Sequence, residues 1–139
     1  MSTLEQERAR YAWEQIDRVK TTAGDKAAEV AMHLRGLPAM VLANGLGQSL
    51  AFLLSKAKGN TKSSHYVVYD VIAEWVVSRR GICPGPKQDL IHSLMQGDRS
   101  TYQRAQDETW ALLVWLKKFA DAYIGSGGEQ SNDRRRPGR

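Results

Sequence analysis

A chain of 139 residues that is 42% hydrophobic and 25% charged has room for one domain with a buried core. No continuous apolar run reaches the roughly 18 to 20 residues that span a bilayer, which excludes a transmembrane segment, and the start MSTLEQERAR is not the apolar leader of a secreted protein. A single cysteine, Cys83, excludes a disulfide framework and fits a cytoplasmic address, while the net charge of +5 leans towards a polyanionic partner.

Ser2 or Thr3 is placed to cap a first helix, with Glu5 or Gln6 three residues on completing a capping box. Leu4, Ala12, Ile16 and Val19 then recur at helical spacing, with Tyr11 and Trp13 flanking the stripe and charges gathered opposite. Gly24 ends this helix, and Asp25 caps a second that runs to about Leu34, before Gly36. Pro38 suits the first turn of a third, which continues to about Lys58.

That third segment, LPAMVLANGLGQSLAFLLSKAKG, carries Gly45 and Gly47 at the centre of the most apolar stretch of the chain. Asn-Gly between hydrophobic residues is also a hairpin signal, but Leu42, Leu46, Leu50 and Leu53 step by three and four, so helix wins. Within one helix, Ala43, Gly47 and Ala51 make a small-residue stripe that admits a neighbouring backbone. Gly45 then points to the side of Asn44 and Gln48, and these three are candidates for an inter-subunit contact.

Ser63–Gly81 is rich in valine and aromatic residues, yet it is too long for a typical strand. Tyr69, Ile72 and Val76 share a helical face, Arg79 and Arg80 suit the negative end of the dipole, and Gly81 suits the left-handed residue beyond it. ICPGPK reads as a loop, Pro86 or Lys87 opens a short helix to about Met95 closed by Gly97, and Asp98 or Ser100 begins a long helix to about Ile124. In that helix Tyr102, Ala105, Trp110, Leu113, Leu116 and Ala120 alternate with charges.

The reading is all-α, a single compact bundle of five to six helices over residues 1–124. Residues 125–139, GSGGEQSNDRRRPGR, have no apolar residue and read as a disordered basic tail. Four arginines there, against Glu129 and Asp133, contribute +2 of the +5.

A search for catalytic chemistry finds little. There is no HExxH, no paired CxxC and no Glu-x-x-His, so neither a metal nor another cofactor is expected. His33, His65 and His92 lie on separate segments and read as polar surface or edge residues. Cys83 sits in a Pro-Gly loop with no base near it in sequence, and Asp70 and Glu74, one turn apart, read as a solvated helix face. Gly45–Gly47 lacks the third glycine, the preceding strand and the Lys-Ser or Lys-Thr of nucleotide loops, so no small-molecule substrate is expected. No helix-turn-helix with a basic recognition helix is evident.

The basic residues are distributed rather than concentrated, with three clusters among them: Lys56, Lys58 and Lys62; Arg79 and Arg80; Lys117 and Lys118. They make either one shared phosphate-binding face or three unrelated solvated helix ends. Without an RNA-reading motif, any nucleic-acid contact is expected at the backbone and insensitive to sequence.

Four blocks in order, LEQERARYAWEQI, LPAMVLANGLGQSLAFLLSK, HYVVYDVIAEWV and YQRAQDETWALLVWLKKFADA, resemble the small helical fifth subunit of the type III-B CRISPR effector, the Cmr complex. The likeness covers about residues 4 to 124, and its most specific element is NGLGQSLAFLLSK. It implies a non-catalytic subunit of an antiviral ribonucleoprotein, stacked with further copies of itself beside the backbone subunits that hold the guide RNA. Its partners would be the backbone and large subunits and either target RNA or the guide–target duplex. The resemblance gives Lys56, Lys58, Lys62, Arg79, Arg80, Lys117 and Lys118 a role as phosphate contacts, these seven being chosen on charge, while guide pairing supplies specificity. The rival reading is a structural spacer whose positive groups bridge acidic neighbours.

Overall fold

The computed structural model describes residues 1–125, so the basic tail expected from Gly125 onwards lies almost wholly outside the described residues. Thr3 caps the first helix by accepting from the Gln6 amide at 3.1 Å, while the Gln6 side chain accepts from the Thr3 amide at 2.8 Å. This capping box starts α1 (Leu4–Thr22), which buries Ala12, Ile16 and Val19 as expected and Tyr11 with them. Trp13, by contrast, stands in solvent.

The second helix differs from expectation. α2 (Lys26–Asn44) runs unbroken through Gly36 and Pro38, positions read above as a boundary. A proline in a helix interior costs about 3 kcal/mol, but Val30, Leu34, Leu37 and Val41 line one stripe, and burying four such side chains outweighs that penalty.

The break falls instead at Gly45, where φ is +87° and ψ 163°, and α3 (Leu46–Ala57) begins at the next residue. The single helix expected from Pro38 to Lys58 is therefore two halves of different helices. Ala43, Gly47 and Ala51 no longer form one stripe, and Ala43 and Ala51 are exposed. Leu46, Leu50 and Leu53 are buried and Leu42 is exposed, because the change of direction rotates the earlier turn away from the core.

Ser63 accepts from the Tyr66 amide and caps α4 (Ser64–Ala73), which buries Tyr69 and Ile72. The helix continues past Ala73 as a π-helical turn, Glu74–Arg79, in which Val76 is buried, and ends at Gly81 with φ +61°. A 3-10 turn, Lys87–Asp89, leads into α5 (Leu90–Gln96). Asp98 accepts from the Thr101 amide at 2.8 Å and caps α6 (Arg99–Tyr123).

Among the described residues there are six α-helices and no strand. α2 lies centrally: α6 packs on it and on α1 to one side, and α4 and α3 pack on it from the other, with α5 set against α3. One continuous core joins Tyr11 and Ile16 of α1, Leu34 and Leu37 of α2, Leu50 of α3, Ile72 of α4 and Leu112, Leu113 and Leu116 of α6. Trp110 stays partly exposed at the edge of this stripe.

Candidate nucleic-acid interface

Lys56, Lys58 and Lys62 gather where α3 turns into α4, and all three are exposed. Lys56 lies over the Phe52 ring at 5.7 Å, and Lys58 takes the left-handed conformation that ends α3. The ammonium of Lys26, at the start of α2, donates to the Lys62 carbonyl at 2.8 Å and joins this group. Sequence separation hid Lys26, which stands 36 residues from Lys62.

Arg79 and Arg80 occupy the far end of α4, roughly 22 Å from Ser64 at 1.5 Å per residue. The π-helical turn brings residues five apart onto one side, so Arg79 Nε meets Glu74 at 3.3 Å. The Arg79 guanidinium also lies over the Tyr11 ring at 4.9 Å, which fixes it against α1. Arg80 is half-buried, and its Nε is shut off from solvent with no hydrogen-bond partner. Arg10 of α1 lines the same cleft and was not singled out by the charge groups of the sequence.

Lys117 and Lys118 are exposed on the outer side of α6, within one turn of Asp121, which pairs with Arg35 of α2 at 2.7 Å. The first two groups thus stand at opposite ends of α4, and the third stands on another helix. A single strand touching all three would run along the molecule rather than dock at one spot.

The three interface candidates split. Asn44 and Gln48 are exposed, whereas Gly45 is half-buried against α6. Gln106 Oε1 accepts from the Leu46 amide at 2.9 Å, and the Tyr102 hydroxyl accepts from the Gly47 amide at 2.8 Å. Two side chains of α6 thereby cap the N-terminus of α3, which has no side-chain cap of its own. A Cβ on Gly45 or Gly47 would meet the Tyr102 oxygen at 3.3 or 3.1 Å, so the closest approach made at these glycines is to α6.

The candidate catalytic groups are engaged structurally. Lys87 pairs with Asp70 at 3.1 Å and with Glu74 at 3.3 Å, pinning the 3-10 turn to α4. Burial favours the neutral form of Glu74, but Lys87 and then Arg79 outweigh it and hold its carboxyl below the usual range. Cys83 is buried; burial pushes its thiol up despite a hydrogen bond with Ser93. His33 and His65, on separate segments as read above, are stacked with ring centroids 3.9 Å apart, because α2 and α4 pack side by side. Among the described residues no cluster of three His, Cys, Asp or Glu is arranged to hold a metal.

Residues 4–123 match the family described as CRISPR-associated protein (Cas_Cmr5). The fold is similar to the crystal structure of a CRISPR-associated Cmr5 family protein from Thermus thermophilus, with a TM-score of 0.69 and 26% sequence identity. That likeness covers 89% of this chain and 99% of the other.

Proposed function

The chain belongs to the CRISPR-associated Cmr5 family, the small subunit of the type III-B Cmr complex, and from that premise we propose that it is a non-catalytic subunit that stabilises bound target RNA. The observation that carries this reading is unspent charge. The ammonium groups of Lys58, Lys117 and Lys118 make no hydrogen bond or ion pair among the described residues, and those of Lys56 and Lys62 make no ion pair. Exposed ammonium groups without internal partners are available to phosphates, and their contacts carry no sequence information. Guide pairing then supplies the specificity, and the lysines with Arg79 and Arg80 add affinity along the strand.

The test compares target-RNA binding by the Cmr complex with and without this subunit over a range of salt. Omission should weaken binding and flatten the salt dependence by about 0.7 for each phosphate that the subunit neutralises. Unchanged affinity and slope would refute the RNA role.

A second reading, a structural spacer touching the backbone and large subunits and further copies of itself, has its own observation. From Gly36 to Ser55 the chain has no charged residue, although Gly36, Ala39, Leu42, Asn44, Gln48, Ala51 and Phe52 are at least partly exposed. Charge depletion on an accessible face suits a protein contact, with Asn44 and Gln48 as its polar members and Gly45 as the bend between them. Lys117→Glu with Lys118→Glu separates the readings: lost assembly in the absence of RNA favours the spacer, and intact assembly with weakened target binding favours the RNA role. A cytoplasmic address belongs to either reading; among the described residues no helix is long and apolar enough to cross a membrane.

A further inference from the structure

We propose that the cleft between the N-terminal half of α1 and the π-helical end of α4 is a phosphate site for single-stranded RNA, holding one phosphodiester on Arg10, Arg79 and Arg80. The proposal rests on the RNA reading above and gives it an address. The cleft has a volume of about 390 Å³, within the roughly 300–1,000 Å³ of ordinary ligand sites.

Its back wall is rigid. Tyr11 and Trp75 lie 4.8 Å apart between ring centroids; the Tyr11 hydroxyl donates to the Val71 carbonyl at 2.6 Å, and Trp75 Nε1 donates to Glu108 at 3.0 Å. Tyr11 in turn supports the Arg79 guanidinium. Arg79 spends Nε on Glu74, which leaves its two terminal nitrogens without a hydrogen bond among the described residues.

Among the described residues the Arg10 side chain bonds to the Ser2 hydroxyl alone, at 3.0 Å, and the Arg80 side chain makes no hydrogen bond or ion pair. The Arg80 Nε is enclosed without an acceptor, while its terminal nitrogens are not enclosed and are the atoms that a phosphate can reach. Glu7 and Glu14 also line the cleft and Glu74 pairs with Arg79, so the site would act through its guanidinium edges rather than through an excess of charge. Guanidinium forks match the paired oxygens of a phosphate, and a base adjoining that phosphate can stack on the plane of Arg79.

Arginine Nε–H resonances of the full chain, followed by NMR during titration with a single-stranded hexauridylate and separately with inorganic phosphate, test this directly. The Arg79 and Arg80 signals should move with both probes. Arg10→Gln, at an exposed position whose side chain bonds to Ser2, should weaken hexauridylate binding about three- to tenfold and lower its salt slope by about 0.7. Arg79→Gln provides a second variant with the same expectation. RNA binding that leaves these arginine signals fixed and both variants unaffected overturns the cleft while the RNA reading stands on the lysines. No effect of the subunit on RNA binding, alone or in the complex, removes both. Signals that move only when other Cmr subunits are added without RNA assign the cleft to a protein carboxylate and overturn the proposal.

Discussion

Arg8 of α1 holds Glu108 of α6 in a two-pronged pair, with Nε to Oε2 at 2.6 Å and Nη2 to Oε1 at 3.0 Å. Trp75 at the end of α4 donates to the same Oε2, so one buried carboxylate ties three helices together. Removing Arg8 as Arg8→Ala leaves that carboxylate enclosed with one remaining donor, and breaking a buried pair in this way costs about 3 kcal/mol. A lowered urea midpoint measures the loss, and an unchanged midpoint would show that the pair adds nothing.

The same pair predicts an acid limb of stability. Burial alone pushes the Glu108 carboxyl up, but hydrogen bonds from Arg8 and Trp75, with the charges of Arg8 and Arg80, outweigh it and hold the group below its ordinary 4.5. A carboxyl depressed in the folded state contributes stability above its unfolded value and loses it as pH falls through the folded one. The unfolding free energy should therefore decline below about pH 4.5, and Glu108→Gln, less stable at neutral pH, should show a shallower decline over the same range.

Gly45 and Gly47 answer to different constraints, which a pair of substitutions separates. Gly45→Ala forces a side chain onto a backbone with φ +87° and should cost about 1–3 kcal/mol in any background. Gly47 lies within a helix, and the obstacle to a Cβ there is the Tyr102 oxygen at 3.1 Å, while the ring carbons stand at 3.6 and 3.8 Å. Tyr102→Phe gives up the hydrogen bond to the Gly47 amide, worth about 1 kcal/mol, but removes the obstacle. In the Tyr102→Phe protein, Gly47→Ala should be neutral or stabilising, as alanine is favoured over glycine in a helix by about 1 kcal/mol. Equal effects of Gly47→Ala in both backgrounds would place the constraint elsewhere.

Those two glycines also mark where sequence reading stops. Helix starts with a local chemical signal were legible: the Thr3 box and the Asp98 cap each lie three residues from the amide they satisfy. The start of α3 was not, because its capping groups, Tyr102 and Gln106, come from 55 and 60 residues away. Pro38 misled for the related reason that a buried stripe on tertiary neighbours overrode a local breaker. For the candidate interface, sequence supplied the charges but not their grouping: Lys26 meets Lys62, and Arg10 faces Arg79, only through helix packing.

Cys83 provides a probe of global opening. Its side chain is 2% exposed, and burial raises the thiol above its ordinary 9.0, so the reactive thiolate is both scarce and inaccessible. Labelling by a thiol reagent at pH 8 should be at least about 100-fold slower in the folded chain than in urea. Arg8→Ala should accelerate labelling in proportion to its loss of stability. Fast labelling of the native protein would mean that the 82–87 loop opens on its own.

A histidine pair predicts a second pH dependence, of the same sign but at higher pH. His33 Nε2 lies 2.8 Å from the Ser64 hydroxyl, its ring stacks on His65, and the Phe52 ring meets His65 edge-on at 6.1 Å. Burial lowers the proton affinity of His33 first, the neighbouring His65 lowers it further, and Glu29 opposes them in part. The unfolded chain thus takes up a proton near 6.5 that the folded chain resists, so stability is complete above that value and is lost as pH falls below it. Between pH 7.5 and 5.5 the unfolding free energy should drop, measured by urea titration. His33→Gln keeps a polar group beside Ser64 but cannot gain a charge, so this drop should shrink in that variant while the decline below about pH 4.5 from Glu108 persists. An undiminished drop in His33→Gln would place the titration outside the α2–α4 contact.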